Sequence, residues 1–138
     1  MTKVESKIVE IDSSSKNIFD FLTDFTHFSI LLPEKVENWK ATKDKCFFTI
    51  KGLTDFGMKI ENTTPYSSII IKNDKDIKMP INFTFNWNID NISENKTKII
   101  AAFDLDINPM MAMAVKKPLK TFIDVLVDKL KEKIEADI

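Results

Sequence analysis

The chain has 138 residues, 43% of them hydrophobic and 30% charged, which is the composition of a folded globular protein and excludes a disordered one. Its formal net charge is −1 and its basic residues are all lysine, so nucleic-acid binding driven by counterion release is excluded. Guanidinium clamps on phosphate or carboxylate are excluded with it. Cys46 is the one cysteine and His27 the one histidine, which rules out an internal disulfide, a thiolate metal cluster and a histidine-rich metal site.

The length suits one domain over residues 1–138. The first seven residues carry no apolar stretch of the kind a secretory leader needs. No run approaches the roughly 18 apolar residues of a membrane span. The expectation is therefore a cytoplasmic protein without stable membrane insertion, in which the Asn-x-Ser/Thr triplets at Asn62, Asn82, Asn91 and Asn95 occur by chance.

In chain order, residues 3–11 mix Val, Ile and charge and predict a first strand. Asp12-Ser13-Ser14-Ser15 offers side-chain oxygens to cap a helix. Ile18, Phe21, Leu22 and Phe25 follow at helical spacing, predicting a helix over 14–23. A short second helix over 28–32 stops at Pro33, because the residue before proline is pushed out of the helical region. Strands over 36–42 and 46–51 flank the turn Lys43-Asp44-Lys45. Gly52 and Gly57 bracket a predicted bend. Further strands are expected over 57–63 and 67–72. Over 81–89 the alternation is strict, with Ile81, Phe83, Phe85, Trp87 and Ile89 on one face and Asn82, Thr84, Asn86 and Asn88 on the other. That is the pattern of an antiparallel strand with one buried and one wet face. Residues 97–107 repeat it after a polar turn over 91–95.

Asn108-Pro109-Met110-Met111 then opens one long amphipathic helix reaching about residue 137. At 100° per residue, Met111, Val115, Leu119, Phe122, Leu126 and Leu130 share an arc of roughly 100°. Lys129 and Lys133 fall back into that arc, so the last turns are expected to overhang the core. Pro118 is expected to kink or break the helix. At 1.5 Å per residue the helix spans roughly 40 Å, enough to cover the whole sheet.

Trp39, Phe48, Met58, Phe83, Phe85, Trp87 and Phe103 suit the wall of an apolar pocket or a close-packed core, and alternation leaves both open. Met110, Met111 and Met113 suit a deformable pocket mouth or gap-filling. Asp104 and Asp106 share a strand face opposite apolar residues, which puts them on the wet outer face. The inward or outward direction of Glu10, Glu61 and Tyr66 is undecided. His27 reads as a solvent-facing loop residue and Cys46 as a small buried one. Lys116, Lys117 and Lys120 read as a solvated face. No catalytic constellation, metal-ligand set or cofactor motif emerges.

The order strand, two short helices, six strands, long helix resembles the START-like, birch-pollen-allergen-like (SRPBCC) superfamily over nearly the whole chain. Asp12-Ser13-Ser14 running into Ile18-Phe19-Asp20-Phe21-Leu22-Thr23-Asp24 looks like that family's first helix. Asn108-Pro109-Met110-Met111-Ala112-Met113 is similar to a bacterial subgroup of unassigned function. The resemblance implies an α+β helix-grip fold: a curved antiparallel sheet of about seven strands wrapped around the C-terminal helix, enclosing a cavity. Val115, Leu119 and Phe122 on the helix would line it with the aromatic face, and cargo would lie nearer the methionines. Members bind lipids, sterols, polyketides or plant hormones; some are cyclases or hydrolases, and some are co-chaperones. A hydrophobic small-molecule ligand is the first expectation. A cyclase- or hydrolase-type enzyme and a protein-interaction module are the alternatives.

Overall fold

The computed structural model describes residues 2–79 and 81–137. Strands β1 (Thr2–Glu5) and β2 (Val9–Ile11) lead into helix α1 (Ser15–Leu22) and a 3-10 helix (Phe25–Leu31). Six strands follow: β3 (Val36–Ala41), β4 (Lys45–Ile50), β5 (Thr54–Thr64), β6 (Ser68–Asn73), β7 (Asn82–Ser93) and β8 (Lys96–Asp106). Helix α2 (Pro109–Ala136) completes the order. All strands join one antiparallel sheet in the order β1-β8-β7-β6-β5-β4-β3, with β2 also on β8. This is the α+β helix-grip architecture.

The sheet has eight strands where about seven were expected, because the first strand is split. β1 and β2 pair with β8 in registers one residue apart (Glu5 opposite Ala102, Val9 opposite Ile99). An extra residue therefore bulges out, and Ile8 stands 60% exposed. Ser6 repairs the ladder. Its N–H donates to the Ala101 carbonyl (2.8 Å), and its hydroxyl oxygen accepts from the Ala101 N–H (2.9 Å). The hydroxyl thus replaces a backbone acceptor lost to the bulge.

The glycines divide differently from the expected bend. Gly52, at φ 83°, makes the tight β4–β5 turn, where a residue with a Cβ would be strained. Gly57 lies inside β5, and a Cβ there would come within 2.6 Å of Ile77 Cγ1. It marks a close approach of the 74–79 loop to the sheet. Another bulge falls in β3, where the register shifts between Glu37 and Lys40 and Asn38 takes the left-handed conformation (φ 59°).

The Asn108 side chain caps α2 by accepting from the Met111 N–H (2.8 Å), and Pro109 fits a first-turn position whose N–H needs no partner. Of the kink or break expected at Pro118, the break does not occur: α2 runs as one helix across it. Its last turns do not overhang the core: Leu130 and Ile134 are buried. Lys129 lays its stem along the apolar surface and donates from Nζ to the Leu32 carbonyl (3.2 Å). Lys131 Nζ reaches the Glu10 carbonyl (2.6 Å), and Glu135 accepts from the Asp12 N–H (2.9 Å), tying the helix end to β2.

Between α2 and the concave sheet face lies a continuous aromatic core. Phe48 stacks on Phe56 and on Phe122 at ring separations of 5.4 and 5.5 Å. Phe83, Phe85 and Phe103 interlock at 4.7–5.7 Å, and Trp87 meets Phe85 edge-on at 5.5 Å. These rings cover the concave face of the sheet beneath α2.

Candidate ligand-binding groove

A small apolar gap of about 10 Å³ lies among Trp39, Phe48, Met58, Phe85 and Phe122, with other core residues. A single water needs about that much space and several polar partners, so this apolar gap is dry. Phe83, Trp87 and Phe103 are buried in the aromatic core without bordering it, as are Val115 and Leu119 on α2. Met111 is half-buried against the core. Met110 and Met113 are 84% and 83% exposed and stand on the outer surface instead of lining a cavity. Their direction follows from the helical period, which turns both away from the Val115–Leu119 stripe.

The larger apolar concavity lies on the seam between helix and sheet. It is a groove of about 670 Å³ formed by residues 33–36, the turn at 50–53 and the stretch of α2 from Lys117 to Lys129. Pro33, Val36, Ile50, Leu53, Pro118, Phe122 and Val125 supply its apolar surface. Local chemistry builds each wall. Pro33 stops the 3-10 helix, and the Val36 N–H donates back to its carbonyl (3.0 Å). The Lys51 N–H donates to the Lys35 carbonyl (2.8 Å), and the Leu53 N–H to the Ile50 carbonyl (2.9 Å), clamping the two loops together. Pro118 presents its ring to the groove from the exposed side of α2.

Phe122 belongs to both spaces: it borders the groove on one side and the inner gap on the other. Only 5% exposed and packed on Phe48, it is the partition between them. The charged rim consists of Lys35, Lys51, Lys117 and Lys129 with one acid, Glu34. Of the twelve residues expected to line a cavity, Trp39, Phe48, Met58, Phe85 and Phe122 border the inner gap, and Phe122 borders the groove as well. The groove itself was not read from the sequence because its walls come from segments that read individually as a turn, a helix stop and a helix-breaking proline. The signal available was the placement of apolar residues at those breaks: Pro33 and Val36, and Ile50 and Leu53 around Gly52.

A second basin of about 850 Å³, at the far end of α2, is lined by the polar residues Asp12, Ser13, Asn17, Asp20, His27 and Asp137 together with Phe21 and Ile134. His27 is exposed there. Its Nδ1 lies 2.8 Å from the Phe21 carbonyl, its Nε2 3.7 Å from Asp24, and its ring stacks on Phe21. Hydrogen bonds from the Thr26 hydroxyl and N–H hold the Asp24 carboxyl below its ordinary pKa, as expected of a helix cap. Among the described residues no three His, Cys, Asp or Glu side chains converge to hold a metal ion.

The remaining titratable groups lie outside the groove. Burial pushes the Cys46 thiol far above its ordinary range, which removes it as a nucleophile. Asp104 accepts from Asn86 Nδ2 (3.4 Å) and lies 4.0 Å from Lys3 on the outer face; Asp106 is exposed. Glu10, Glu61 and Tyr66 are exposed.

No protein-family model and no curated protein matches the chain. Solved structures do. A START superfamily protein from Mycobacterium smegmatis superposes with a TM-score of 0.70 at 14% identity, covering 99% of each chain. The fold is START-like. A norcoclaurine synthase point mutant from Thalictrum flavum, in complex with a transition-state analogue, superposes at 0.73 with 12% identity, over 99% of this chain and 95% of that one. The di-domain ARO/CYC protein BexL, of the BE-7585A biosynthetic pathway, gives 0.65 at 13% identity, over 98% of this chain and 47% of its own. No helix among the described residues is long and apolar enough to cross a membrane.

Proposed function

We propose that this START-like protein binds a hydrophobic small molecule in the groove between α2 and the loops at 33–36 and 50–53, with Phe122 as the inner wall. The observation that carries the reading is the apolar groove of about 670 Å³ beside a closely packed aromatic core with a gap of about 10 Å³. That volume suits a small organic molecule. Each 100 Å² of ligand apolar surface removed from water would contribute about 2.5 kcal/mol. A norcoclaurine synthase of the same fold holds a transition-state analogue, which supports the scaffold's capacity for small molecules. Catalysis has less support: the groove carries lysines, Thr121 and Glu34, but no His, Cys or Asp.

The close packing of the aromatic core supports a second reading, a protein-interaction module that uses the START-like scaffold without an internal cargo. Titration with the neutral dye Nile red separates the two. The ligand reading expects saturable one-to-one binding that is lost when Val125→Trp fills the groove. Absence of saturable binding, together with a stoichiometric protein partner recovered from source cells, would replace it with the interaction reading.

A further inference from the structure

We infer that the molecule held in this groove is an anionic amphiphile, with its apolar part on the groove floor and its acidic head at Lys35, Lys51 and Lys117. The inference rests on the ligand reading above and narrows it. Elsewhere on α2, Lys120, Lys131 and Lys133 each pair with a carboxylate four residues on, at 2.8–3.1 Å. The groove lysines of α2, like Lys116 on its outer side, lack such a partner. Four residues after Lys117 stands Thr121, and four after Lys129 stands Lys133.

Among the described residues, none of Lys35, Lys51, Lys117 and Lys129 has a carboxylate within 4.0 Å. Lys129 is instead fixed by the Leu32 carbonyl, which holds its charge at one end of the groove. In a chain of near-zero net charge, four ammonium groups around one apolar floor, opposed by Glu34 alone, make a local positive field. An apolar floor under a cationic rim matches a hydrocarbon or polycyclic body with an acidic end. Lysine is a point charge without a fork, so carboxylate, sulfate and phosphate heads share the chemistry.

The test is displacement of Nile red, at low ionic strength and below micelle formation, by three chains of equal length: dodecanoate, dodecanol and dodecyltrimethylammonium. Dodecanoate is expected to bind roughly 5- to 10-fold tighter than dodecanol, as two or three exposed charge contacts allow, and dodecyltrimethylammonium weakest. Raising the salt to about 0.5 M should shrink the gap. The triple substitution Lys35→Gln, Lys51→Gln, Lys117→Gln, at exposed positions, should close it. Co-sedimentation with phosphatidylglycerol vesicles distinguishes the source. Association that the triple variant loses assigns the acidic head to a bilayer lipid, and dodecanoate binding without association assigns it to a free amphiphile. Equal affinity for all three chains would overturn the charge inference and leave the groove reading standing. Failure of all three, with Nile red itself unbound, would remove the groove reading and this inference with it.

Discussion

Replacing Phe122 by alanine should merge the groove with the inner gap, and the cost can be worked from its surroundings. The ring is 5% exposed, lies nearly parallel to Phe48 at 5.5 Å (13° between planes), and comes within 6.3 Å of Phe103. A residual cavity of about 100 Å³ would cost about 2.4 kcal/mol at 24 cal/mol per Å³, and the lost transfer energy brings core Phe→Ala changes to about 3–5 kcal/mol. Because one side of Phe122 borders the open groove, the lower end, about 3 kcal/mol, applies here. With an unfolding entropy near 2.1 cal/mol/K per residue, a chain of 138 residues should lose about 10 °C in Tm. Circular-dichroism melting measures this directly. Millimolar benzene should then raise the Tm of the variant more than that of the unaltered protein, because the new space is apolar. A fall of less than about 3 °C with no benzene effect would refute the assignment of Phe122 as a packed partition.

Three further outcomes test the frame around the groove. Ser6→Ala should strip the buried Ala101 N–H of its acceptor and cost about 1–3 kcal/mol, read as a lowered urea midpoint with unchanged m-value. Gly57→Ala should force Ile77 away from β5 at a cost of about 1–3 kcal/mol, visible as faster amide exchange across residues 74–79; a neutral result would mean that the loop yields freely. Hydrogen bonds from Lys131 and from the Asp12 N–H hold the Glu135 carboxyl below its ordinary pKa. Its stabilising contribution is therefore present above the unfolded carboxylate pKa and lost as pH falls through the depressed folded value. Glu135→Gln should lower Tm at pH 7 and reduce the acid-induced fall below about pH 4.5; an unchanged acid limb would dismiss the contact.

Much of the frame was legible because its physics is local. The alternation from Ile81 to Ile89 reports a sheet with one dry face, and all four of Phe83, Phe85, Trp87 and Ile89 are buried. Ser14 and Asn108 both act as the helix caps that their positions suggest. The N-terminal bulge was not legible, since the hydroxyl that repairs it depends on a residue 95 positions away. Lys129 and Lys133 pointed to an overhang because periodicity counts charges, whereas a long aliphatic stem can cover apolar surface and still deliver its ammonium group to a carbonyl. Pocket wall and close-packed core could not be told apart for a related reason. Periodicity says which way Phe48, Phe56 and Phe103 point, but not whether the space they enter is larger than they are. The groove combines three remote segments whose proximity only the folded sheet creates.

The central claim is that a hydrophobic ligand sits against α2 and the 33–36 and 50–53 loops. Its most direct test is a titration of isotope-labelled protein with dodecanoate, followed by amide and methyl chemical shifts and by ligand–protein nuclear Overhauser contacts. Saturable shifts confined to Val36, Ile50, Leu53, Thr121, Phe122 and Val125, with contacts from the chain to the methyl groups among them, are predicted. Unperturbed spectra, or shifts gathered instead around Asp12, Asn17 and His27 at the far basin, would contradict the claim.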